Sequence, residues 1–120
     1  MLKGISEIIL YVQDMNAQVT FYRDILKLPI AYPPGLDNYS EEFWVVFDTG
    51  VCKLALHGGG KKRFGDDAPK FVFDTGDVSS TRQYLIDHGV TVGKIRSPAP
   101  GVTVCDAVDP EGNYFSIECR

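Results

Sequence analysis

The sequence lacks the features that mark several common protein classes. No apolar run approaches the roughly 20 residues that a membrane-spanning helix needs, and the opening residues, MLKGISE, contain no hydrophobic signal-peptide region. The only cysteines are Cys52, Cys105 and Cys119, an odd number without CxxC spacing, which argues against a disulfide framework or a zinc knuckle. We therefore expect a cytoplasmic protein with reduced thiols and no membrane contact.

Basic charge is also scarce, since 12 Lys and Arg stand against 16 Asp and Glu, for a formal net charge of −4. Proteins that bind nucleic acid usually present a basic face, so we expect no nucleic-acid partner. The one basic cluster, residues 61–63, is followed at once by Asp66 and Asp67 and indicates a solvated loop. Residues 58–61, GGGK, are not followed by Ser or Thr and so do not match a phosphate-binding loop. The acidic balance instead suits cationic small molecules.

An internal repeat organises the chain. Residues 7–26, EIILYVQDMNAQVTFYRDIL, return in degraded form as residues 70–89, KFVFDTGDVSSTRQYLIDHG. Each copy begins with a strand-like apolar run, and Asp14 or Asp77 then stands where a helix N-cap is expected. Gly89 is typical of the left-handed residue that ends a helix. In the second copy the apolar residues at helical spacing are Val78, Leu85 and Ile86. The repeat predicts a strand–helix unit that is used twice.

Further strand-like runs follow each predicted helix. They cover residues 30–32, 43–48, 51–57, 90–95, 102–108 and 114–119, with a tight turn at 109–113. We predict an α+β fold of two tandem βαβββ modules, about residues 1–57 and 70–120, joined by a linker at 58–69. The modules would form curled, mostly antiparallel sheets around a cleft, with the helices on the outer face.

Alternation along the strands assigns side chains to the two faces of each sheet. Beneath the helices we place Ile8, Leu10, Val12, Leu54, Leu56, Phe71, Phe73, Phe115 and Ile117. The opposite faces would line a shared concavity, which is where a ligand is expected. The candidate ligand contacts there are Glu7, Tyr11, Trp44, His57, Lys70, Tyr114, Ser116 and Glu118.

The runs at 8–14 and 21–26, together with Leu54–His57 and the DPEGN turn at 109–113, resemble the vicinal oxygen chelate superfamily. This superfamily contains glyoxalases, bleomycin-resistance proteins and extradiol dioxygenases. The resemblance covers nearly the whole chain and implies the fold, but it specifies no reaction, because this fold hosts many. It also implies a homodimer, since family members usually dimerise.

Metal-dependent members of the family hold a divalent ion with one side chain from each of four strands. The resemblance places those four positions at Glu7, Ala55, Lys70 and Ser116. Only Glu7 is a good metal ligand, because Ala55 has no donor atom and a protonated lysine repels a cation. We therefore expect the usual metal site to be missing, with a Glu7–Lys70 ion pair as one way to fill its centre.

Three functions stay open. The leading hypothesis is a protein that binds a small organic ligand without the family's usual metal site. The alternative is a metal-dependent lyase, isomerase or dioxygenase with a displaced site. His57 and Glu118 lie two residues beyond Ala55 and Ser116, and with Glu7 they form an acceptable ligand set for Zn, Mn or Fe. A third hypothesis is metal-free acid–base catalysis by Glu7 and Lys70. Candidate catalytic residues are thus Glu7, Lys70 and Glu118.

Overall fold

The computed structural model describes residues 1, 3–61 and 68–120. The chain divides into two compact units, Met1–Arg63 and Phe64–Arg120, called module one and module two below. The elements of module one are β1 (Glu7–Val12), α1 (Met15–Thr20) with a π-helical turn (Phe21–Ile25), β2 (Ile30–Tyr32), β3 (Trp44–Phe47) and β4 (Lys53–Gly58). Those of module two are β5 (Phe71–Asp74), α2 (Val78–Asp87), β6 (Arg96–Ala99), β7 (Val102–Val108) and β8 (Tyr114–Cys119). The predicted pair of βαβββ modules is confirmed.

Each module contains one open sheet of four strands. The strand orders are β1-β4-β3-β2 and β5-β8-β7-β6. The first strand of each module pairs in parallel with the last, and the other neighbours are antiparallel, as the prediction of mostly antiparallel sheets requires. Within the described residues, neither helix has the length and apolarity to cross a membrane. The predicted basic cluster at 61–63 and the predicted linker at 58–69 fall partly outside the described residues.

Both helices begin at the predicted aspartates. The Asp14 carboxylate accepts a hydrogen bond from the Ala17 amide at 3.1 Å, and the Asp77 carboxylate accepts one from the Ser79 amide at 3.0 Å. These bonds satisfy donors that the first helical turn leaves without a backbone partner. At the other end of α2, Gly89 adopts a φ of 78°, the left-handed conformation expected of a glycine that ends a helix. The repeat therefore predicted both helix starts correctly.

The first helix widens into a π-helical turn that the sequence pattern does not indicate. The Leu26 amide donates to the Phe21 carbonyl at 3.0 Å, five residues back, in place of the usual four. The consecutive side chains Phe21 and Tyr22 are both buried. Tyr22 packs against Phe47 with ring centroids 5.9 Å apart, which identifies the helix-covered face of the first sheet.

The predicted strand faces differ from the structure at Ile8, and one position of the second helix also differs. Ile8, expected beneath α1, is 37% exposed, whereas Val12 at the other end of β1 is fully buried. Ile86, expected on the inner face of α2, is 40% exposed, and that helix buries Val78 and Leu85 instead. In module two, Phe115 packs between the rings of the two phenylalanines of β5 on the helix-covered face.

The predicted strand at 90–95 is wrong. Val90 is bound to the end of α2, where its amide donates to the Leu85 carbonyl at 2.9 Å, and Val92 makes only an isolated bridge with Ala107. The strand instead begins at Arg96 and ends at Ala99. As a result Arg96 stands opposite Val104 on β7, among the strands of the sheet.

The turn at 109–113 sets the register of the last hairpin. Asp109 is buried, and its carboxylate accepts hydrogen bonds from the amides of Glu111 and Asn113, each at 2.9 Å. The positive φ of 86° at Gly112 closes the turn. Val108 then pairs with Tyr114, and two residues further along each strand Asp106 pairs with Ser116.

Candidate functional site

In module one, three aromatic side chains surround an imidazole on the face of the sheet away from α1. The rings of Tyr11, Phe43 and Trp44 lie 5.1, 6.2 and 6.0 Å from the His57 ring, centroid to centroid. We call these four residues the aromatic cluster. The pairing of β1 and β3 with β4 produces it, because Tyr11 and Trp44 both stand in register with His57. The structure thus brings together three of the predicted ligand contacts, Tyr11, Trp44 and His57.

The ring of His57 is oriented by its own strand. Its Nδ1 lies 2.7 Å from the Gly58 carbonyl oxygen, which can only accept a hydrogen bond, so Nδ1 carries the proton and donates. In the neutral imidazole Nε2 is then the hydrogen-bond acceptor. The aromatic cluster therefore combines ring surfaces for stacking with one oriented acceptor.

The glycines after β4 pack closely against the aromatic cluster. A Cβ at Gly60 would lie 2.2 Å from the Tyr11 Cβ, and one at Gly59, whose φ is 79°, would lie 3.1 Å from the Phe43 ring. Only glycine permits this approach of the backbone to the rings. The GGGK stretch, predicted as the start of a linker, is therefore a wall of the cluster. The sequence could have indicated this role, because the glycines directly follow the strand that carries His57.

In module two, three polar side chains meet at one carboxylate on the sheet face opposite Phe115 and α2. Asp106 accepts hydrogen bonds from Lys70 Nζ at 3.1 Å, from Arg96 Nη1 at 2.8 Å and from Ser116 Oγ at 2.5 Å. We call Lys70, Arg96, Asp106 and Ser116 the Asp106 network. Lys70 and Ser116 were predicted as ligand contacts, whereas Asp106 and Arg96 were missed. Counting back from the turn at 109–113 pairs Asp106 with Ser116, which is the signal that could have found it.

The network changes the acidity of its central group. Burial raises the pKa of Asp106, but the hydrogen bonds from Ser116, Arg96 and Lys70 outweigh it, and the pKa falls from 3.8 to about 2. Asp106 is therefore ionised at neutral pH, and its negative charge interacts with the two cations that contact it. Ser116 is only 1% exposed because its hydroxyl lies beneath this carboxylate.

The remaining predicted contacts have separate surroundings. Glu7 stands in register with Lys53 at the start of β1 and is half-buried. The Glu118 carboxylate accepts a hydrogen bond from Arg120 Nε at 2.9 Å, and Tyr114 is exposed at the start of β8. Lys70 donates to Asp106 within its own module.

The residues at the four family positions do not fit a metal ion. Ala55 is buried and offers no donor atom. Lys70 is an ammonium group bound to Asp106, and the Ser116 hydroxyl donates its proton to the same carboxylate. Across residues 1, 3–61 and 68–120, no group of three or more His, Cys, Asp or Glu side chains is placed to hold an ion.

A model of the Glyoxalase/Bleomycin resistance protein/Dioxygenase superfamily matches residues 4–117. A search of curated proteins finds no match. Among solved structures, the protein SMU.1112c is 20% identical over 98% of this chain and 99% of that one, with a TM-score of 0.82.

Two other solved structures have informative names. Lactoylglutathione lyase from Agrobacterium tumefaciens is 21% identical over 98% of this chain and 94% of that one, with a TM-score of 0.73. TnmS3, an antibiotic binding protein from Streptomyces sp. CB03234, is 19% identical over 98% of this chain and 96% of that one, with a TM-score of 0.73. At these identities the likeness concerns the fold alone.

The Gly60 contact predicts a specific intolerance. Gly60→Ala places a methyl group inside the van der Waals radius of the Tyr11 Cβ, so we expect a loss of about 1–3 kcal/mol in the free energy of unfolding. Urea unfolding measures it. Gly4→Ala is the matched control, because a Cβ at Gly4 meets nothing within 4 Å. Equal stability of the two variants would contradict the close packing of Gly60 on Tyr11.

The Asp106 network predicts a pH dependence of stability. The folded-state pKa of Asp106, about 2, lies below the unfolded value of 3.8, so its contribution is complete above pH 3.8 and is lost as pH falls through about 2. Asp106→Asn should therefore cost about 1–2 kcal/mol of unfolding free energy at pH 7 and progressively less in acid. Asp74→Asn, at an exposed position of the same sheet, is the control in urea unfolding at several pH values. A pH-independent difference would contradict the network.

Proposed function

Because the chain belongs to the glyoxalase/bleomycin resistance protein/dioxygenase superfamily, we propose that it binds a small organic ligand without the family's usual metal site. The observation that carries the proposal is the aromatic cluster in module one, where exposed rings surround an oriented imidazole. Tyr11 is 53% exposed, although aromatic side chains of this size gain most from burial. A flat ligand would supply that burial.

The chemistry of the cluster favours one kind of ligand. Tyr11 and Trp44 offer ring faces and edges, and His57 Nε2 offers a hydrogen-bond acceptor. A planar ring system with a hydroxyl or N–H donor satisfies both features. We propose as ligand contacts all eight residues chosen from the sequence: Glu7, Tyr11, Trp44, His57, Lys70, Tyr114, Ser116 and Glu118.

The Asp106 network supports metal independence. An ammonium and a hydroxyl that both donate to one carboxylate have no lone pair directed at a cation, and the ammonium repels one. Similarity in fold to TnmS3, described as an antibiotic binding protein, agrees with sequestration of a ligand as the role. We further propose a cytoplasmic homodimer, the common assembly in this family.

A second function is favoured by one observation. His57 holds its Nε2 as the acceptor, which is the form of imidazole that binds metals. With Glu7 and Glu118 it makes the displaced ligand set of a metal-dependent lyase, isomerase or dioxygenase, and lactoylglutathione lyase shares the fold. Glu118 already accepts a hydrogen bond from Arg120, which disfavours this reading.

Ligand binding without metal is directly testable, because Trp44 is the only tryptophan. In EDTA, coumarin and quinoline should shift the Trp44 indole N–H resonance of ¹⁵N-labelled protein. His57→Ala should weaken binding about five- to tenfold by removing a ring contact and an acceptor. The matched control is His88→Ala, since the chain's other histidine lies at the end of α2 and contacts the Tyr84 carbonyl at 2.7 Å.

Metal analysis separates the two functions. Under the proposal, added Zn, Ni, Mn or Fe leaves the affinity for coumarin unchanged, and purified protein contains no stoichiometric metal. Stoichiometric metal that is lost in His57→Ala, or binding that requires a metal, would replace the proposal with the metal-dependent alternative.

A further inference from the structure

We propose that the Asp106 network is a binding subsite for an oxyanion, namely a carboxylate or phosphate group of an organic molecule that binds at module two. The inference goes beyond the proposed function, because the network lies in module two and the aromatic cluster lies in module one. It runs against the net charge of −4, which by itself favours cations. The charges around Asp106, and not the net charge, therefore determine whether this surface attracts an anion.

Donors outnumber acceptors in the network. Lys70 carries three N–H donors and Arg96 carries five, while Asp106 offers a single carboxylate. Each cation uses one of its donors on that carboxylate, at 3.1 Å for Lys70 and 2.8 Å for Arg96. The Ser116 hydroxyl occupies a further lone pair of the same oxygen that Lys70 contacts. Two positive charges against one negative charge leave the network with a formal charge of +1.

The cations remain accessible to a ligand. The side chains of Lys70 and Arg96 are 37% and 49% exposed, and that of Asp106 is 31% exposed. Lys70 contacts one oxygen of the Asp106 carboxylate and Arg96 contacts the other, so the two cations flank this carboxylate. Donors that are held in place in this way lose less conformational entropy on binding than free surface side chains do. Charge-assisted hydrogen bonds to carboxylate or phosphate are also the strong class of hydrogen bond.

The acidic groups of the same sheet stand at its other end. Asp74 pairs in register with Glu118, four residues along β5 from Lys70, which corresponds to about 13 Å of extended strand. Glu118 is itself compensated by Arg120. The exposed ring of Tyr114 lies at the Lys70 end, at the start of β8. An anionic group placed at the network therefore meets two cations, with the ring of Tyr114 at the same end of the sheet and Asp74 and Glu118 at the other.

The test compares ligands that share a ring and differ in charge. Benzoate and phenyl phosphate carry the two oxyanions, and benzyl alcohol is their neutral counterpart. Each is titrated into ¹⁵N-labelled protein at fixed ionic strength while the amides of Asp106 and Ser116 are followed. The protein variants are Lys70→Gln and Arg96→Gln, with Lys70→Arg as the charge-preserving variant. Lys94→Gln is the matched control, because it removes one positive charge from an exposed residue outside the network.

We expect at least one oxyanion to shift the two network amides and to bind about tenfold more tightly than benzyl alcohol. Lys70→Gln and Arg96→Gln should each weaken that binding about five- to tenfold, whereas Lys70→Arg and Lys94→Gln should retain it. Comparison of benzoate with phenyl phosphate identifies the preferred oxyanion. Thermal unfolding of each variant establishes that it is folded.

The inference is overturned if the oxyanions bind no more tightly than benzyl alcohol, or if Lys70→Gln retains the affinity while folded. The proposed function has a separate readout in the Trp44 indole resonance. A shift of that resonance without any oxyanion preference would remove the subsite and leave the proposed function standing. If an oxyanion binds at the network but no aromatic probe shifts the Trp44 indole resonance, the result supports the subsite and counts against the proposed function.

Discussion

One carboxylate determines the character of module two. Asp106 collects hydrogen bonds from Lys70, Arg96 and Ser116, three side chains that come from three different places in the sequence. Without that carboxylate, two cations would face each other across a partly buried sheet surface, and a buried hydroxyl would have to find another acceptor. The same bonds occupy two of the four positions at which related proteins hold a metal.

The two modules use the equivalent sheet face in different ways. In module one this face carries the rings around His57, and glycine backbone packs against Tyr11. In module two the face is polar and organised by Asp106. A repeated fold with divergent side chains offers both an apolar and a charged surface.

The sequence predicted the elements that depend on local chemistry. Asp14 and Asp77 cap their helices, Gly89 ends the second, and the turn that begins at Asp109 sets the last hairpin. It failed where tertiary contacts decide. The valines at 90–95 suggested a strand, yet Val90 is bound to the helix end. The π-helical turn likewise follows from burial of two consecutive aromatic side chains, which periodicity cannot indicate.

The sequence predicted several members of the two clusters, but it did not predict which side chains contact one another. Tyr11, Trp44 and His57 were expected on one face by alternation, and they meet there. Lys70 and Ser116 were expected as separate contacts, but their common partner Asp106 was not recognised. The pairing of Asp106 with Ser116 is set by the buried turn. The second cation, Arg96, lies on a strand whose start was predicted six residues too early. Pairings across strands are fixed by the folded sheet, so single-strand patterns do not contain them.

The most direct test of this account is the ionisation of Asp106 itself. A ¹³C-detected titration of the side-chain carboxyl in the intact protein reports its pKa without any substitution. Donation from Lys70, Arg96 and Ser116 predicts a pKa of about 2. A value at or above the ordinary 3.8 would mean that the three donors do not converge on this carboxylate, and it would contradict the account.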